Sequence, residues 1–419
     1  MIRVCDAIMG TGKSSAAITY LNEHKDEKFI YITPYLTEAN RIYRGCPKLR
    51  FIEPSDKIKE YHFRKSEHTE ALIEEGANIA TTHQAFKRYT PEMLENIQRH
   101  GYTLIIDENV DILEVFDFHE DDLQMAINSG YINDAEDAYS IKRDDYSGYA
   151  FKELFGLLKS RDLIRMKDRD DKTLFYWALP PELLTSFKDV FILTYLFEGQ
   201  SLSHLMNIYN IPHEFVGIEK TEDGVYRFGS LPGHVPEYVS HLKDMIHILD
   251  NDKLNSVGDD YHSLSKSWHE KNEITEEGKQ LKNNLYNYFN NIHADIPADK
   301  KLWGTYKAEC NYLKGKGYTK GYLPFNAKAT NDYRDRYCLA YVANVFMNVN
   351  EKKFYQSRGI HVNDDMFALS ILVQWIWRSC IRDGDEVYLY IPSRRMRTLL
   401  TNWIENVSNG GNIKNEETM

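Results

Sequence analysis

The sequence predicts an α/β fold in two lobes, each built around a parallel sheet. Three observations carry this. Short apolar runs alternate with helical stretches through the first half of the chain, the pattern of strands joined by helical crossovers. A glycine-rich loop lies between the first run and the first helical stretch. After a less regular span, the same alternation resumes in the last third.

In the first half, Ile2–Cys5 reads as a strand and Ser14–Leu21 as a helix. Phe29–Ile32 is a second strand, with a helix through Thr37–Tyr43. Ala77–Thr81, Thr103–Ile106 and Val190–Leu193 are the third, fourth and fifth strands. The charged stretch Asp117–Asp171, with acidic residues at Glu120–Asp122 and mixed charge over Arg161–Asp171, reads as helices and loops inserted after the fourth strand. Its charges suit a solvated surface better than a specific binding role. His213–Lys271 is less regular and reads as the crossing between lobes. Beyond it come a helix (Glu276–Ile292), a strand (Leu302–Tyr306), a helix (Ala308–Leu313), a strand (Gly321–Phe325), two helices (Arg336–Met347 and Met366–Ile381) and a strand (Glu386–Ile391). The polar tail Ser408–Met419 is expected to fray. No solenoid or propeller period is visible.

Composition narrows the class. The chain has 419 residues, too many for one ordinary core, and 42% of them are apolar, which excludes wholesale disorder. Its 29 tyrosines, 19 phenylalanines and 6 tryptophans serve equally to fill cores or to stack on bases. A formal net charge of −12 argues against a broadly cationic, DNA-coating protein but leaves room for a narrow basic track. The five cysteines, Cys5, Cys46, Cys310, Cys338 and Cys380, form no CxxC and indicate neither a disulfide framework nor a zinc site. The opening residues read as a strand entering a loop rather than a signal peptide. No apolar run approaches the roughly 20 residues of a membrane span. The expectation is a soluble, intracellular protein with no membrane partner.

The strongest chemical signal is Ala7-Ile8-Met9-Gly10-Thr11-Gly12-Lys13-Ser14. It matches the P-loop pattern G-x-x-x-x-G-K-[ST] except for Ala7 at the first glycine. Phosphate oxygens need several backbone N–H groups converging on one point. Gly10 and Gly12 allow the tight bend and close approach, and Lys13 adds a charge for the outer phosphates. Ser14 offers a hydroxyl to magnesium, and the helix that follows points its positive end at the anion. Thr11 and Ser15 complete the expected nucleotide-binding set. The bland alternative is a glycine-rich turn with a surface lysine, but pattern and strand-helix context coincide.

A P-loop needs an acidic partner for its metal. Thr103-Leu104-Ile105-Ile106-Asp107-Glu108-Asn109 is an apolar strand ending in two carboxylates. Asp107 is expected to hold magnesium, and Glu108 to orient or deprotonate the attacking water. The same pair could be solvated turn residues; the P-loop upstream favours the functional role.

These motifs resemble the superfamily 2 helicases, and more narrowly the small DEAD/DEAH-like helicases common in phage genomes. The resemblance spans nearly the whole chain. Ala7–Ser14 resembles motif I, Asp107-Glu108-Asn109 the D-E-x-x box of motif II, Thr33-Pro34 motif Ia, and Thr81-Thr82-His83 a later nucleic-acid-contacting segment. At motif III only Thr194 of Leu193-Thr194-Tyr195 fits. Gln374-Trp375-Ile376-Trp377-Arg378-Ser379-Cys380-Ile381-Arg382 resembles motif VI, Q-x-x-G-R-x-x-R, with Trp377 for the glycine and Arg382 one position late. Asn326–Asn331 is the motif V candidate. On a helix, Gln374, Arg378 and Arg382 would share one face, from which an arginine finger could reach the γ-phosphate. The alternative is a salt-bridged helix face.

The resemblance implies two RecA-like P-loop NTPase lobes with parallel sheets and a cleft between them. The first lobe covers residues 1–216, with a helical insertion at about 110–180, and the second covers 217–419. It implies an ATP-dependent helicase or translocase acting in that cleft with ATP and Mg2+. Single-stranded DNA is the expected nucleic acid ahead of RNA, replication or recombination proteins are the expected associates, and the host cytoplasm is the location if the gene is a phage's. Thr33, Thr81, Thr82 and His83, at strand ends, and Lys316 are the nucleic-acid candidates. Lys316 lies in Lys314-Gly315-Lys316-Gly317-Tyr318-Thr319-Lys320, which could line a groove with Tyr318 stacking on a base, or be a solvated turn. Arg394-Arg395-Met396-Arg397 reads as surface or structural. The rival function is a P-loop ATPase acting on protein partners without unwinding. A small-molecule kinase is a poorer third, since such kinases are usually one compact lobe with a lid.

Overall fold

A computed structural model describes residues 1–116, 120–135, 138–143, 145–148, 151–158, 162–167, 173–327 and 332–411. The end of the motif V candidate (328–331) and the tail (412–419) lie outside the described residues. The chain forms two compact units: Met1–Ala7, Gly12–Gly233 and Asn348–Val362 make one; Ile8–Thr11, His234–Met347 and Asn363–Met419 make the other.

The first unit is centred on a six-stranded sheet with strands β1 (Ile2–Asp6), β2 (Phe29–Thr33), β3 (Ile79–Thr82), β4 (Thr103–Asp107), β10 (Asp189–Thr194) and β11 (Glu214–Phe215). Their order is β11-β1-β10-β4-β2-β3 and every pairing is parallel. A parallel sheet is covered on both faces, so its inner strands read as continuous apolar runs. All five residues of β2 are buried. The helix Lys13–Glu23 lays Ala16, Ala17 and Leu21 against Phe29, Tyr31, Ile105 and Phe191. The small alanines let the helix approach the sheet, and Phe191 fills the space between them.

Between β4 and β10 the expected helical insertion is corrected. It holds a five-stranded antiparallel sheet of order β5-β9-β8-β7-β6, from β5 (Leu113–Phe116), β6 (Ile132–Asp134), β7 (Ala138–Ile141), β8 (Leu163–Lys167) and β9 (Thr173–Ala178). Two helices, Glu120–Asn128 and Lys152–Leu158, accompany it. The run Phe175-Tyr176-Trp177 is buried throughout, so it lacks the two-residue alternation that marks a one-sided strand. Part of its cover comes from far along the chain: Phe354, on the helix Val349–Gln356, packs on Tyr176 with ring centroids 5.6 Å apart. The same unit ends in a hairpin of β12 (Gly217–Lys220) and β13 (Tyr226–Gly229).

The second unit has a parallel sheet of order β14-β17-β16-β15, from β14 (Ile246–Ile248), β15 (Lys301–Gly304), β16 (Cys338–Tyr341) and β17 (Val387–Tyr390). The expected helix at Arg336–Met347 is corrected to the inner strand β16, all four residues of which are buried. A short continuous apolar run carries no period to tell helix from strand. The expected strand Gly321–Phe325 makes one bridge, Trp303↔Tyr322, with Leu323 N donating to the Trp303 carbonyl (2.9 Å) and Phe325 N to the Thr305 carbonyl (3.2 Å). The helices Glu276–Asn287 and Asp364–Ile376 and the strand β17 fall where expected. Arg395 proves structural. It is buried at the start of the helix Arg394–Ser408 and donates to Asn344 Oδ1 (2.9 Å), the Val345 carbonyl (2.7 Å) and Asp365 (2.7 Å).

Trp375 is the central filler of this unit. Its indole N–H donates to the Leu323 carbonyl at 3.3 Å, and its ring meets Tyr341 edge-on at 5.2 Å. A Cβ on Gly304 would sit 2.8 Å from that indole. Truncating a buried aromatic typically costs about 3–5 kcal/mol. Trp375→Ala is therefore expected to lower the melting transition of this unit clearly, while Trp375→Phe lowers it less; differential scanning calorimetry reads both.

Candidate functional site

The glycine-rich loop leaves the C-terminal end of β1, the edge of an open parallel sheet where ligands bind. Gly10 and Gly12 have φ of +89° and +94°, a region that side-chain-bearing residues rarely enter. Thr11 Oγ1 donates to the Ile8 carbonyl at 2.9 Å and tightens the turn. Gly12, which has no side chain to cap with, then starts the helix Lys13–Glu23. The first-turn N–H groups of a helix lack intrahelical partners and suit an anion.

Strand β10 ties the loop to the acidic pair. It lies between β1 and β4, pairing Asp6↔Thr194 on one side and Leu193↔Asp107 on the other. The Thr194 carbonyl accepts from Ala7 N (3.1 Å) and the Leu193 carbonyl from Glu108 N (3.1 Å). Glu108 takes φ +65°, unusual for a residue with a side chain. The strand ends at Asp107, immediately before it.

Ser14 and Asp107 come together, as the sequence led us to expect of two metal-holding residues. The Ser14 hydroxyl is 3.4 and 3.5 Å from the Asp107 carboxylate oxygens, long for a hydroxyl–carboxylate bond. Lys13 Nζ folds back onto the Ala7 carbonyl. Burial pushes the Lys13 ammonium down from its ordinary pKa, opposed by Cys5, Asp6, Asp107 and Glu108. Burial likewise pushes Asp107 up, opposed by a hydrogen bond from Tyr31 and by the charges of Arg41 and Lys13. A hydroxyl, one carboxylate and a lysine beside a glycine-rich turn at a helix start are a donor set that fits magnesium with a polyphosphate. Among the described residues, no three His, Cys, Asp or Glu side chains gather as a metal cage.

Three neighbours escaped sequence reasoning. Tyr31 donates to Asp107 Oδ2 at 2.6 Å. It sits on β2 opposite Ile105, so only strand register could reveal it. Arg41 donates to Ser15 Oγ at 2.9 Å from the helix Leu36–Gly45. Asp6 accepts from Phe197 N at 3.1 Å, and its other oxygen is buried with no hydrogen-bond partner among the described residues.

The strand-end candidates for nucleic acid turn inward. Thr33 and Thr81 are fully buried, and Thr33 Oγ1 donates to the Tyr35 carbonyl at 2.7 Å. Thr82 caps the short helix His83–Phe86 by accepting from Ala85 N. His83, also buried, sets Nε2 3.0 Å from the Asp107 carbonyl oxygen. Thr194 Oγ1 donates to Gln200 Oε1 at 2.7 Å. Lys314, Lys316 and Lys320 are exposed, but Tyr318 is not a stacking platform. It is 1% exposed, stacked on Phe289 at 4.8 Å, and its hydroxyl donates to the Leu313 carbonyl at 2.8 Å.

The shared helix face of Gln374, Arg378 and Arg382 is also corrected. The helix Asp364–Ile376 ends at Ile376; Arg378 follows its cap, and Arg382 lies in the 3-10 turn Cys380–Asp383. Ser379 terminates it: its backbone is extended and its hydroxyl donates to the Ile376 carbonyl at 2.6 Å. Trp377, at the glycine position of the motif, is buried, with Nε1 donating to the Tyr238 hydroxyl at 3.3 Å.

Fold and site together define an α/β protein with parallel sheets, carrying a glycine-rich loop beside an acidic strand end. Residues 240–404 match the family model described as YonV C-terminal Rossmann-like domain. Over 420 aligned residues the chain is 37% identical to the SPbeta prophage-derived uncharacterized protein YonV of Bacillus subtilis (strain 168), covering 97% of this chain and 99% of that protein. The chain belongs to the YonV family. Two solved structures, titled "XPD_APO" and "Structure of S. tokodaii Xpd4", align with 96% of the chain at 11% and 12% identity. They are covered to 95% and 94%, with TM-scores of 0.41 and 0.42. Among the described residues, no helix is long and apolar enough to cross a membrane.

The Tyr31–Asp107 bond makes a prediction. A hydrogen bond to the charged form favours it, so Tyr31→Phe should raise the Asp107 pKa further. Carboxyl-carbon NMR titration of the two proteins checks this; an unchanged or lower Asp107 midpoint in the variant would contradict the assigned role.

Proposed function

We propose that this chain binds a magnesium–nucleoside triphosphate at the loop Ala7–Ser14 and hydrolyses it, ATP being the expected substrate, to drive movement on a nucleic-acid strand. One observation carries the hydrolytic reading: the Ser14 hydroxyl and the Asp107 carboxylate converge within 3.5 Å, with Lys13 adjacent in sequence. Residues 93 positions apart meet here, at the spot where a metal-bound polyphosphate would need them.

Magnesium, when bound, would supply positive charge to neutralise what develops on the phosphates. Ser14 and Asp107 would hold it, the Tyr31 hydrogen bond favouring the ionised form of Asp107 against its burial. Gly10, Thr11, Gly12, Lys13, Ser14 and Ser15 would present backbone N–H groups to the phosphates. Lys13 would exchange the Ala7 carbonyl for phosphate oxygen, recovering in Coulombic attraction what its burial costs. Glu108, which follows Asp107 at the end of β4 with a left-handed backbone, would orient the attacking water and take its proton. Gln374, Arg378 and Arg382 remain the proposed transition-state group, with Arg378 as the finger. In this reading nucleic acid, single-stranded DNA foremost, runs over the strand ends through backbone groups near Thr33, Thr81, Thr82 and His83, and meets Lys316. The His83–Asp107 contact then links strand binding to the metal-holding carboxylate. Action in the host cytoplasm and alongside replication or recombination proteins belongs to the same proposal.

Lys13→Ala is expected to abolish turnover in a folded protein, and Glu108→Gln to retain nucleotide binding while slowing hydrolysis by at least about 100-fold, a typical contribution of a general base. Steady-state turnover and equilibrium binding separate the two. Arg378→Ala should lower turnover by roughly 10³–10⁵-fold with little change in ATP affinity.

The decisive assay is turnover with and without single-stranded DNA or RNA at low salt. Stimulation should appear and then fall as salt rises, because phosphate contacts release counterions. Turnover indifferent to both strands would hand the protein to the rival reading, an ATPase driven by protein partners.

A further inference from the structure

We infer that Tyr226 is the surface on which the base of the bound nucleoside triphosphate stacks, so that the hairpin β12–β13 supplies the nucleoside half of a site whose phosphate half is the loop Ala7–Ser14. The inference rests on the phosphate-loop reading above.

Tyr226 opens β13 and pairs across the hairpin with Lys220. Its ring lies against the loop. A Cβ built on Gly12 would fall 2.3, 2.6 and 2.7 Å from three ring carbons. The glycine before Lys13 thus has two reasons to lack a side chain: its φ of +94° and the ring beside it. This contact places an aromatic face at the start of the helix Lys13–Glu23, next to the N–H groups that would hold phosphate.

The hairpin is anchored, so the ring is held in place. Phe228, two residues on and therefore on the same face, stacks on Phe191 with centroids 4.6 Å apart and 19° between planes. Ile218 is fully buried in the same core. Arg227, on the opposite face, pairs with Glu23 at 2.6 Å. Tyr226 itself stays half-buried, and the exposed Lys220 holds its ammonium 5.4 Å from the ring centroid.

An aromatic face with a cation beside it, adjoining a phosphate cradle, matches what a nucleoside triphosphate presents: a flat base joined to an anionic chain. Stacking is tolerant of base identity because every base has a π-face. The larger purine ring covers more of the tyrosine, so a purine nucleotide is the occupant. Packing against the helix would need only an apolar side chain, and that difference is testable.

The probes are magnesium–ATP and magnesium–tripolyphosphate, which has the phosphates without the nucleoside. Both are titrated calorimetrically into the full chain and into Tyr226→Ala, Tyr226→Leu, Tyr226→Phe and Lys13→Ala. Tyr226→Ala and Tyr226→Leu should weaken ATP roughly 5- to 150-fold, the range of base–aromatic stacking. They should leave tripolyphosphate unchanged, and Tyr226→Phe should bind both probes like the parent. Lys13→Ala should weaken both. Tyr226→Leu fills the same space without a π-face, so it carries the comparison if Tyr226→Ala fails to fold. Parent-like ATP affinity in the leucine variant overturns the inference. So does equal weakening of both probes, which would make the ring a brace for the loop. In either case a Lys13 effect leaves the phosphate-loop reading standing; a parent chain that binds neither probe removes that reading and this inference together.

Discussion

The last two peptides of β10 hold the chemistry of the first unit in register. The Leu193 carbonyl takes the Glu108 N–H and the Thr194 carbonyl takes the Ala7 N–H. Neighbouring strands lie about 4.8 Å apart, so this one strand sets the spacing between the glycine-rich loop and the acidic strand end. It also explains how Ser14 and Asp107 meet although each belongs to a different crossover. The left-handed backbone at Glu108 costs on the order of 1 kcal/mol or more. The bond to β10 helps hold it.

Around that frame, charge is buried in a balanced set. Lys13 and Asp107 are each shifted by burial toward neutrality; Cys5, Asp6, Asp107 and Glu108 oppose the shift of Lys13, Tyr31, Arg41 and Lys13 oppose that of Asp107, and Glu108 adds to it. Such a set is stable only while its members face one another. In the proposed reading an anionic ligand with its cation would enter on similar terms, exchanging Lys13's contact with the Ala7 carbonyl for a contact with phosphate. The polar strand ends of β2 and β3 serve the same frame. Thr33 and Thr82 bind their own backbone and His83 reaches the Asp107 carbonyl, so these residues brace the carboxylate's strand.

The second unit solves a different problem. Its core is dominated by aromatics, with Trp303, Trp375, Tyr288, Tyr318 and Tyr390 almost fully buried. Each buried polar tip needs a partner, and most find a backbone carbonyl: Trp303 that of Tyr318, Trp375 that of Leu323, Tyr390 that of Leu254. That demand consumed Tyr318, which an open basic segment would otherwise have offered to a base. It also shaped the arginine segment. With Trp375 and Trp377 both buried, the chain leaves the helix at Ile376, and Arg378 and Arg382 are carried on a cap and a 3-10 turn.

Much was legible from residues alone because its physics is local. The strand–loop–helix of Ile2–Glu23 follows from an apolar run, two glycines and a helix carrying Ala16 and Ala17, and the acidic end of β4 from three apolar residues followed by two carboxylates. The two-unit α/β class follows from alternation over long windows. Tertiary structure decided what depends on partners distant in sequence. Cys338–Tyr341 became a strand because β15 and β17 flank it on both sides, whereas its apolar run has no period of its own. The insertion became a sheet whose inner strand β9 is partly covered by a helix from residues 349–356. Tyr31 joined Asp107 through strand register, and Tyr226 reached Gly12 through a hairpin more than 200 residues down the chain. Periodicity reports the solvent on either side of a segment; it is silent when protein covers both sides, and there only the assembled fold assigns the role.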